Sequence, residues 1–277
     1  MRLPFVQVDA FADGPFTGNP AAVMMLQHWL PDAVLQGIAA DNNLSETAFL
    51  VPGNTGDALF DLRWFTPALE VAMCGHATLA SGHVVLDALA DLTEVRFQSR
   101  KSGVLAVARA GDAYDVRLPA RPVERRLTDR DAQAVAAALG AQPAETWARG
   151  SDYLVAMFDS PDEVRALRPD FRRVMALAPG VDLMLIATAP GEATDVLSRV
   201  FVPSGGIDED PVTGSAHAVL APLWAARFGR GRFTAEQASA RGGRLVCHHV
   251  GEHVIVTGKA RTVIRGEYDL PETGLPG

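Results

Sequence analysis

The chain has 277 residues, 48% hydrophobic and 21% charged, enough for one large domain or two modest ones with core to spare. Its formal charge of −8 argues against nucleic acid or an anionic membrane as the main partner, while leaving room for a small anionic substrate in a locally positive pocket. Two distant cysteines, Cys74 and Cys247, make no disulfide framework, and no apolar run reaches the ~18 residues of a membrane span. The opening residues pass straight into strand-like alternation without a signal-peptide pattern, so the expected location is cytoplasmic.

In chain order, Phe5-Val-Gln-Val8 reads as a strand, Asp13 to Pro20 as a turn-rich loop and Ala21 to Leu26 as a buried strand. Val34, Leu35, Ile38 and Ala39 recur at helical spacing and predict a helix from Pro31 to Asp41. An apolar strand over Ser45 to Val51 carries one misfit, Glu46, and another strand spans Leu59 to Phe65. From Gly75 to about Ala90 apolar residues surround the helix rather than striping it, which predicts a central helix with protein on all sides. Strands follow at Glu94 to Gln98, Val104 to Ala108 and Tyr114 to Leu118, the last two joined by the turn Ala110-Gly-Asp-Ala113. Prolines and charges over Pro119 to Arg126 mark a boundary. Beyond it, Thr128 caps a predicted helix to Leu139, with Gly140 as its stop. Strands are expected at Tyr153 to Phe158, Leu183 to Ala187 and Val196 to Val202, and Pro169 should split the helical stretch Pro161 to Met175. Asp208 and Asp210 read as lying on one approach loop before Pro211, leading to a second apolar helix, Ser215 to Phe228, containing Pro222.

The two halves repeat. Gly103, Leu105, Gly111 and Asp112 match Gly243, Leu245, Gly251 and Glu252; Gly75 matches Gly214, and Phe65 matches Phe201, at nearly constant offset. The expectation is two pseudo-symmetric lobes with a site between them.

A helix N-terminus presents unpaired N–H groups and a partial positive charge, and a glycine there lets a ligand approach. Gly75 and Gly214 are therefore candidate carboxylate binders, the plain alternative being tight helix starts. Glu46 shares a strand face with Ala48 and Leu50. Desolvation raises a carboxyl pKa toward the range useful in acid–base catalysis; a solvated strand-end glutamate is the alternative. His76 and Ser215 each follow the helix-opening glycine, and Asp210 either caps the second helix or accepts a substrate hydrogen bond. A two-thiol racemase is disfavoured because the position matching Cys74 is Thr213. Cys247, His248, His249 and His253 superficially resemble a metal cluster, but Cys247 matches Val107 on a hairpin strand, so no metal is expected. No phosphate-binding glycine motif is present, so nucleotide cofactors lack support.

Several segments together resemble the PhzF family of phenazine-biosynthesis-like isomerases: Val8-Asp-Ala-Phe11 with Gly18-Asn-Pro20, Asn43 to Phe49, Arg63-Trp-Phe-Thr-Pro67, Cys74 to Thr78, and Asp208 to His217. The resemblance implies an α+β fold like that of diaminopimelate epimerase, each lobe a curled, mostly antiparallel sheet around a central apolar helix. One lobe would cover 1–120 with a returning C-terminal strand at about 262–277, the other 121–261. It implies a homodimer without cofactors. It also implies Glu46 as proton-shuttling acid/base, with His76, Asp210 and Ser215 as polar partners and Asn19, Ser45, Gly75 and Gly214 as substrate binders. In the phenazine enzyme itself the substrate is a dihydro-hydroxyanthranilic acid and a proton moves between ring carbons. The expected function here is proton shift on a small carboxylic acid. The alternatives are a Cys74-based epimerase or racemase of an amino acid, and a non-catalytic metabolite-binding protein.

Overall fold

The computed structural model describes residues 1–53 and 58–271. The backbone divides into two units, Met1–Leu118 with the chain from Thr257, and Pro119–Val256. Both are α+β.

In the first unit, Asn19–Met25 pairs antiparallel with Arg2–Ala10 and parallel with Glu46–Pro52. Phe60–Phe65 continues antiparallel, and Glu94–Ser99 lies parallel beside it before its hairpin partner Gly103–Ala110. Helix α1, Asp32–Asn42, ends where Asn43 turns left-handed and buries Val34, Leu35, Ile38 and Ala39, the four positions the periodicity marks. Helix α2, Gly75–Ala88, is buried nearly all round and packs against strands Arg2–Ala10, Asn19–Met25, Glu94–Ser99 and Gly103–Ala110. Its apolar girth needs strands on several sides, and the curled sheet supplies them. Ala260–Asp269 returns to pair antiparallel with Arg2–Ala10. Of the stretch 262–277, residues 272–277 lie outside the described residues.

The second unit repeats this plan strand for strand. Tyr153–Met157 pairs antiparallel with Glu145–Arg149 and parallel with Met184–Pro190. Val196–Val202 continues antiparallel, and Arg232–Gln237 lies parallel beside it before Gly243–Val250. Thr128 caps helix α3, Asp129–Leu139, by accepting from the Asp131 amide, and left-handed Gly140 stops it. Pro169 falls between α4, Pro161–Ala166, and α5, Phe171–Ala176. Helix α6, Gly214–Phe228, runs unbroken through Pro222 and is buried over most of its surface.

The repeat is sharpest in the strand registers. Thr47 faces Phe65 as Leu185 faces Phe201, Ala21 faces Glu46 as Tyr153 faces Met184, and Phe49 faces Arg63 as Ala187 faces Arg199. One expectation needs correcting. Asp208 and Asp210 are not on a loop: Ile207–Asp210 is a strand paired with Val196–Val202. Acidic residues tolerate this edge because Arg199 takes Glu209 in a two-pronged ion pair, with both contacts at 2.8 Å.

Candidate active site

The first unit gathers three of the expected site residues, Glu46, His76 and Asn19, together with Cys74. Glu46 opens the strand Glu46–Pro52, and His76 is the second residue of α2. Their side chains meet, Glu46 Oε2 lying 2.9 Å from His76 Nε2. Cys74 Sγ is 3.4 Å from His76 Nδ1, and Asn19 Nδ2 is 3.1 Å from the same nitrogen. Asn19, Cys74 and His76 are buried, while Glu46 keeps 15% of its side chain exposed, although the Oε2 that meets His76 is itself buried.

Burial pushes the Cys74 thiol up to about 11, reinforced by the Glu46 carboxylate, so the sulfur is a thiol at neutral pH. Burial alone would lower the His76 pKa, but the charges beside it outweigh that, and the ring is held well above its ordinary value. The raising influences are Cys74 first and then the Glu46 carboxylate. Asn19 meets Nδ1 in either protonation state: its amide N–H₂ donates to a neutral ring, and its oxygen accepts from an imidazolium. The arrangement is a buried imidazole against a partly exposed carboxylate, a pair of groups able to share a proton.

Gly75 begins α2 immediately beside this pair, and Gly214 begins α6. Neither N-cap residue, Cys74 or Thr213, closes its helix start with a side-chain hydrogen bond of its own, which suits both starts to an anionic group. Ser45, half-buried, directly precedes Glu46.

In the second unit Asp210 is buried and its Oδ2 accepts from the Thr213 hydroxyl. Gln237, fully buried, donates to the Asp210 carbonyl at 2.7 Å and accepts from the Thr213 amide at 2.8 Å. Asp210 is thus fixed by the residues around the helix start. Ser215 Oγ lies 4.0 Å from Met184 Sδ. Ser215 holds the place of His76, and Met184 that of Glu46, so the second unit sets a hydroxyl and a thioether where the first has an imidazole and a carboxylate.

Sequence reading missed three groups here. Tyr153 is buried, and its phenol pKa is raised by burial against the opposing pull of Arg121 and a Ser215 hydrogen bond. Arg121 reaches the Tyr153 hydroxyl at 3.4 Å, and its own amide donates to the Ala218 carbonyl of α6 at 2.9 Å. Gln237 is the third. Extending the repeat offset to Glu46 would have singled out Met184; Tyr153 emerges only from the strand register, where it faces Met184 as Ala21 faces Glu46.

His217, the last residue of the Asp208 segment, is structural. Its Nδ1 donates to the Thr213 carbonyl at 2.7 Å, as the Thr78 hydroxyl donates to the Cys74 carbonyl at 2.6 Å in the matching turn of α2. Cys247 is fully buried, and burial pushes its thiol far up. Among the described residues, three metal-type donors come together at Glu46, Cys74 and His76, not around Cys247.

The family described as phenazine biosynthesis-like protein, PhzC-PhzF, matches residues 8–266. An uncharacterized isomerase of Pseudomonas aeruginosa is 47% identical over 98% of this chain and 100% of its own. The human phenazine biosynthesis-like domain-containing protein is 35% identical over 96% of this chain and 99% of its own. A solved PhzF family structure from Enterococcus faecalis superposes with a TM-score of 0.86 at 40% identity, covering 98% of this chain and 100% of that one. A hydroxyproline epimerase from Agrobacterium vitis shares the fold alone, with a TM-score of 0.62 at 11% identity over 96% of this chain and 92% of that one. With profile, relatives and a solved structure all matching over nearly its full length, the chain belongs to the phenazine biosynthesis-like PhzC-PhzF family.

Proposed function

We propose that the chain is a cofactor-independent isomerase that shifts a proton on a small carboxylic acid, with Glu46 as the acid/base. The observation that carries this reading is the 2.9 Å contact between Glu46 and His76, at the start of a buried helix opened by Gly75. Glu46 removes a proton from a carbon activated by a carboxylate or by conjugation, and His76 stabilises the carboxylate form between turnovers. The protonated Glu46 then returns the proton to another carbon of the same substrate. The first-turn amides of α2 and α6 bind carboxylate, and Asp210 and Ser215 hydrogen-bond the substrate, as do Asn19 and Ser45.

The isomerase names carried by the bacterial relatives support the reaction class. The test is solvent exchange: the protein is incubated in heavy water with a pool of small unsaturated carboxylic acids, and mass spectrometry follows deuterium uptake. Uptake that needs the protein and disappears in Glu46→Gln is the expected result. Uptake that survives Glu46→Gln but is lost in Cys74→Ser would overturn the assignment in favour of a thiol-based epimerase. A ligand that binds without any exchange would favour a binding protein.

The remaining proposals concern setting. Among the described residues no helix is long and apolar enough to cross a membrane. A cytoplasmic location and a homodimer are proposed alongside the activity. Exposed Val263 and Ile264, on a strand whose described pairing is with Arg2–Ala10, are consistent with a second copy. Sedimentation equilibrium showing only monomer at micromolar concentration would remove the dimer.

A further inference from the structure

The first unit brings together three donors of different hardness. The Glu46 carboxylate, Cys74 sulfur and His76 imidazole lie within 4.8 Å of one another. We propose that this cluster is a reversible binding site for a zinc-type divalent cation, held by Glu46, Cys74 and His76. Occupancy would switch off the proton-transfer pair. The binding site stands on geometry alone; only its inhibitory effect rests on the acid–base reading above.

The spacing fits such an ion. Tetrahedral zinc binds sulfur at ~2.3 Å and nitrogen or oxygen at ~2.0–2.2 Å, which separates its donors by about 3.3–3.6 Å. Here Glu46 Oε2 and His76 Nε2 are 2.9 Å apart, and Cys74 Sγ is 4.0 Å from His76 Nε2. Of the three edges, one opens and one closes by roughly half an ångström, and the third, Glu46 to Cys74, lies within 4.8 Å, so side-chain rotations would have to complete the site. Three protein ligands leave a fourth position for water.

Charge and support also fit. A carboxylate and a thiolate cancel a dication and a neutral imidazole adds nothing, so the buried assembly is neutral. Binding sends the Cys74 thiol proton, and any proton on His76, to solvent, so affinity rises with pH. A metal-bound imidazole needs an acceptor for its other N–H, and the Asn19 amide stands 3.1 Å from Nδ1, able to turn its oxygen toward it. The second unit supplies an internal contrast. Thr213, Ser215 and Met184 occupy the places of Cys74, His76 and Glu46, and none is a comparable ligand.

Cobalt tests this directly on the full chain. One equivalent of Co²⁺ added to metal-free protein should give visible bands of a tetrahedral site and a near-ultraviolet thiolate-to-cobalt charge-transfer band, both displaced by Zn²⁺. Cys74→Ser should lose the charge-transfer band, and Cys247→Ser should keep it. A spectrum of the free aquo ion in the unsubstituted protein, or a band that survives Cys74→Ser, overturns the proposal. Should Cys74→Ser fail to fold, Cys247→Ser decides alone, because a band lost there belongs to the wrong thiol. Deuterium exchange in chelator-treated buffer is read separately. Failure of the acid–base reading therefore leaves the cobalt result intact, and the reverse holds too.

Discussion

Glu46→Gln preserves the shape of the side chain while removing its ability to hold a proton. General acid–base groups contribute ~10²–10⁴ in rate, so the variant should lose at least about 10²-fold in exchange rate, with substrate affinity little changed. Quench-flow or single-turnover deuterium uptake separates the two quantities; a loss confined to KM would reassign Glu46 to binding. His217 makes a different kind of prediction. Burial lowers its pKa to about 4, so between pH 6.5 and about 4 the unfolded chain binds a proton that the folded chain refuses. Its contribution is therefore intact above pH 6.5 and is lost as pH falls through that window, at up to ~1.4 kcal/mol per pH unit. Denaturant unfolding from about pH 7.5 to 4.5 should show this slope. In His217→Asn, which keeps an N–H for the Thr213 carbonyl but does not titrate, the profile should be measurably flatter. How much of this was legible in the sequence differs by residue. Glu46 stood out as a charged misfit on an apolar strand and His76 as a polar residue opening an apolar helix. No periodicity relates a strand start to a helix start thirty residues away, so their pairing came only through family resemblance. Tyr153 and Arg121 look like ordinary strand and loop residues until the fold brings Ser215 beside them.

At the scale of elements, what the sequence announces is what local chemistry decides. The limits of α3 follow from Thr128 and Gly140, and the break between α4 and α5 from Pro169, because caps and prolines act on the residues next to them. The strands Glu145–Arg149 and Ile207–Asp210 went unannounced, since their polar residues are stabilised by partners on other elements, such as Arg227 with Glu145 and Arg199 with Glu209. Helix packing shows the same long-range logic. A methyl group added at Gly82 of α2 would sit 2.3 Å from Val107 Cγ1 and 2.5 Å from its Cβ, so the helix approaches Gly103–Ala110 closely enough to require glycine. In the second unit the matching places hold Ala221 and Cys247, a larger residue on the helix and a smaller one on the strand, both buried. That size exchange explains Cys247 without any chemistry. Gly82→Ala gains up to about 1 kcal/mol in helix propensity yet should destabilise the protein by about 1–3 kcal/mol through overpacking. Adding Val107→Ala should recover a substantial part, a coupling measurable by a double-mutant cycle in urea. Additive effects would mean that the two positions do not press on each other.

For the molecule as a whole, duplication explains why an arginine stands at the same place in each unit, Arg63 buried and Arg199 half-buried. Arg63 grips Glu70 with two contacts of 2.7 Å, adds Asp32 at 2.8 Å and stacks over Phe65 at 5.0 Å. Arg199 grips Glu209 in the same manner, stacks over Phe201 at 5.0 Å, and replaces Asp32 with the Leu167 carbonyl at 2.9 Å. The matched registers, Phe65 against Glu70 and Phe201 against Glu209, make these two copies of one brace that holds the short acidic strand ahead of each central helix. A brace of this kind fixes geometry more than it adds net stability, because desolvating the charges offsets much of their attraction. Removing one partner is costly all the same, since the carboxylate is left behind. Arg63→Met and Arg199→Met should each destabilise by about 3 kcal/mol, seen as a lower urea midpoint at unchanged m-value. Pairing each with its own carboxylate removed, as Arg63→Met with Glu70→Leu or Arg199→Met with Glu209→Leu, should restore most of the loss. Cross-combinations such as Arg63→Met with Glu209→Leu should not, because the carboxylate stranded by the first change remains. Rescue by the crossed pair, or no loss from either arginine, would show that the two braces are not independent copies of one structural device.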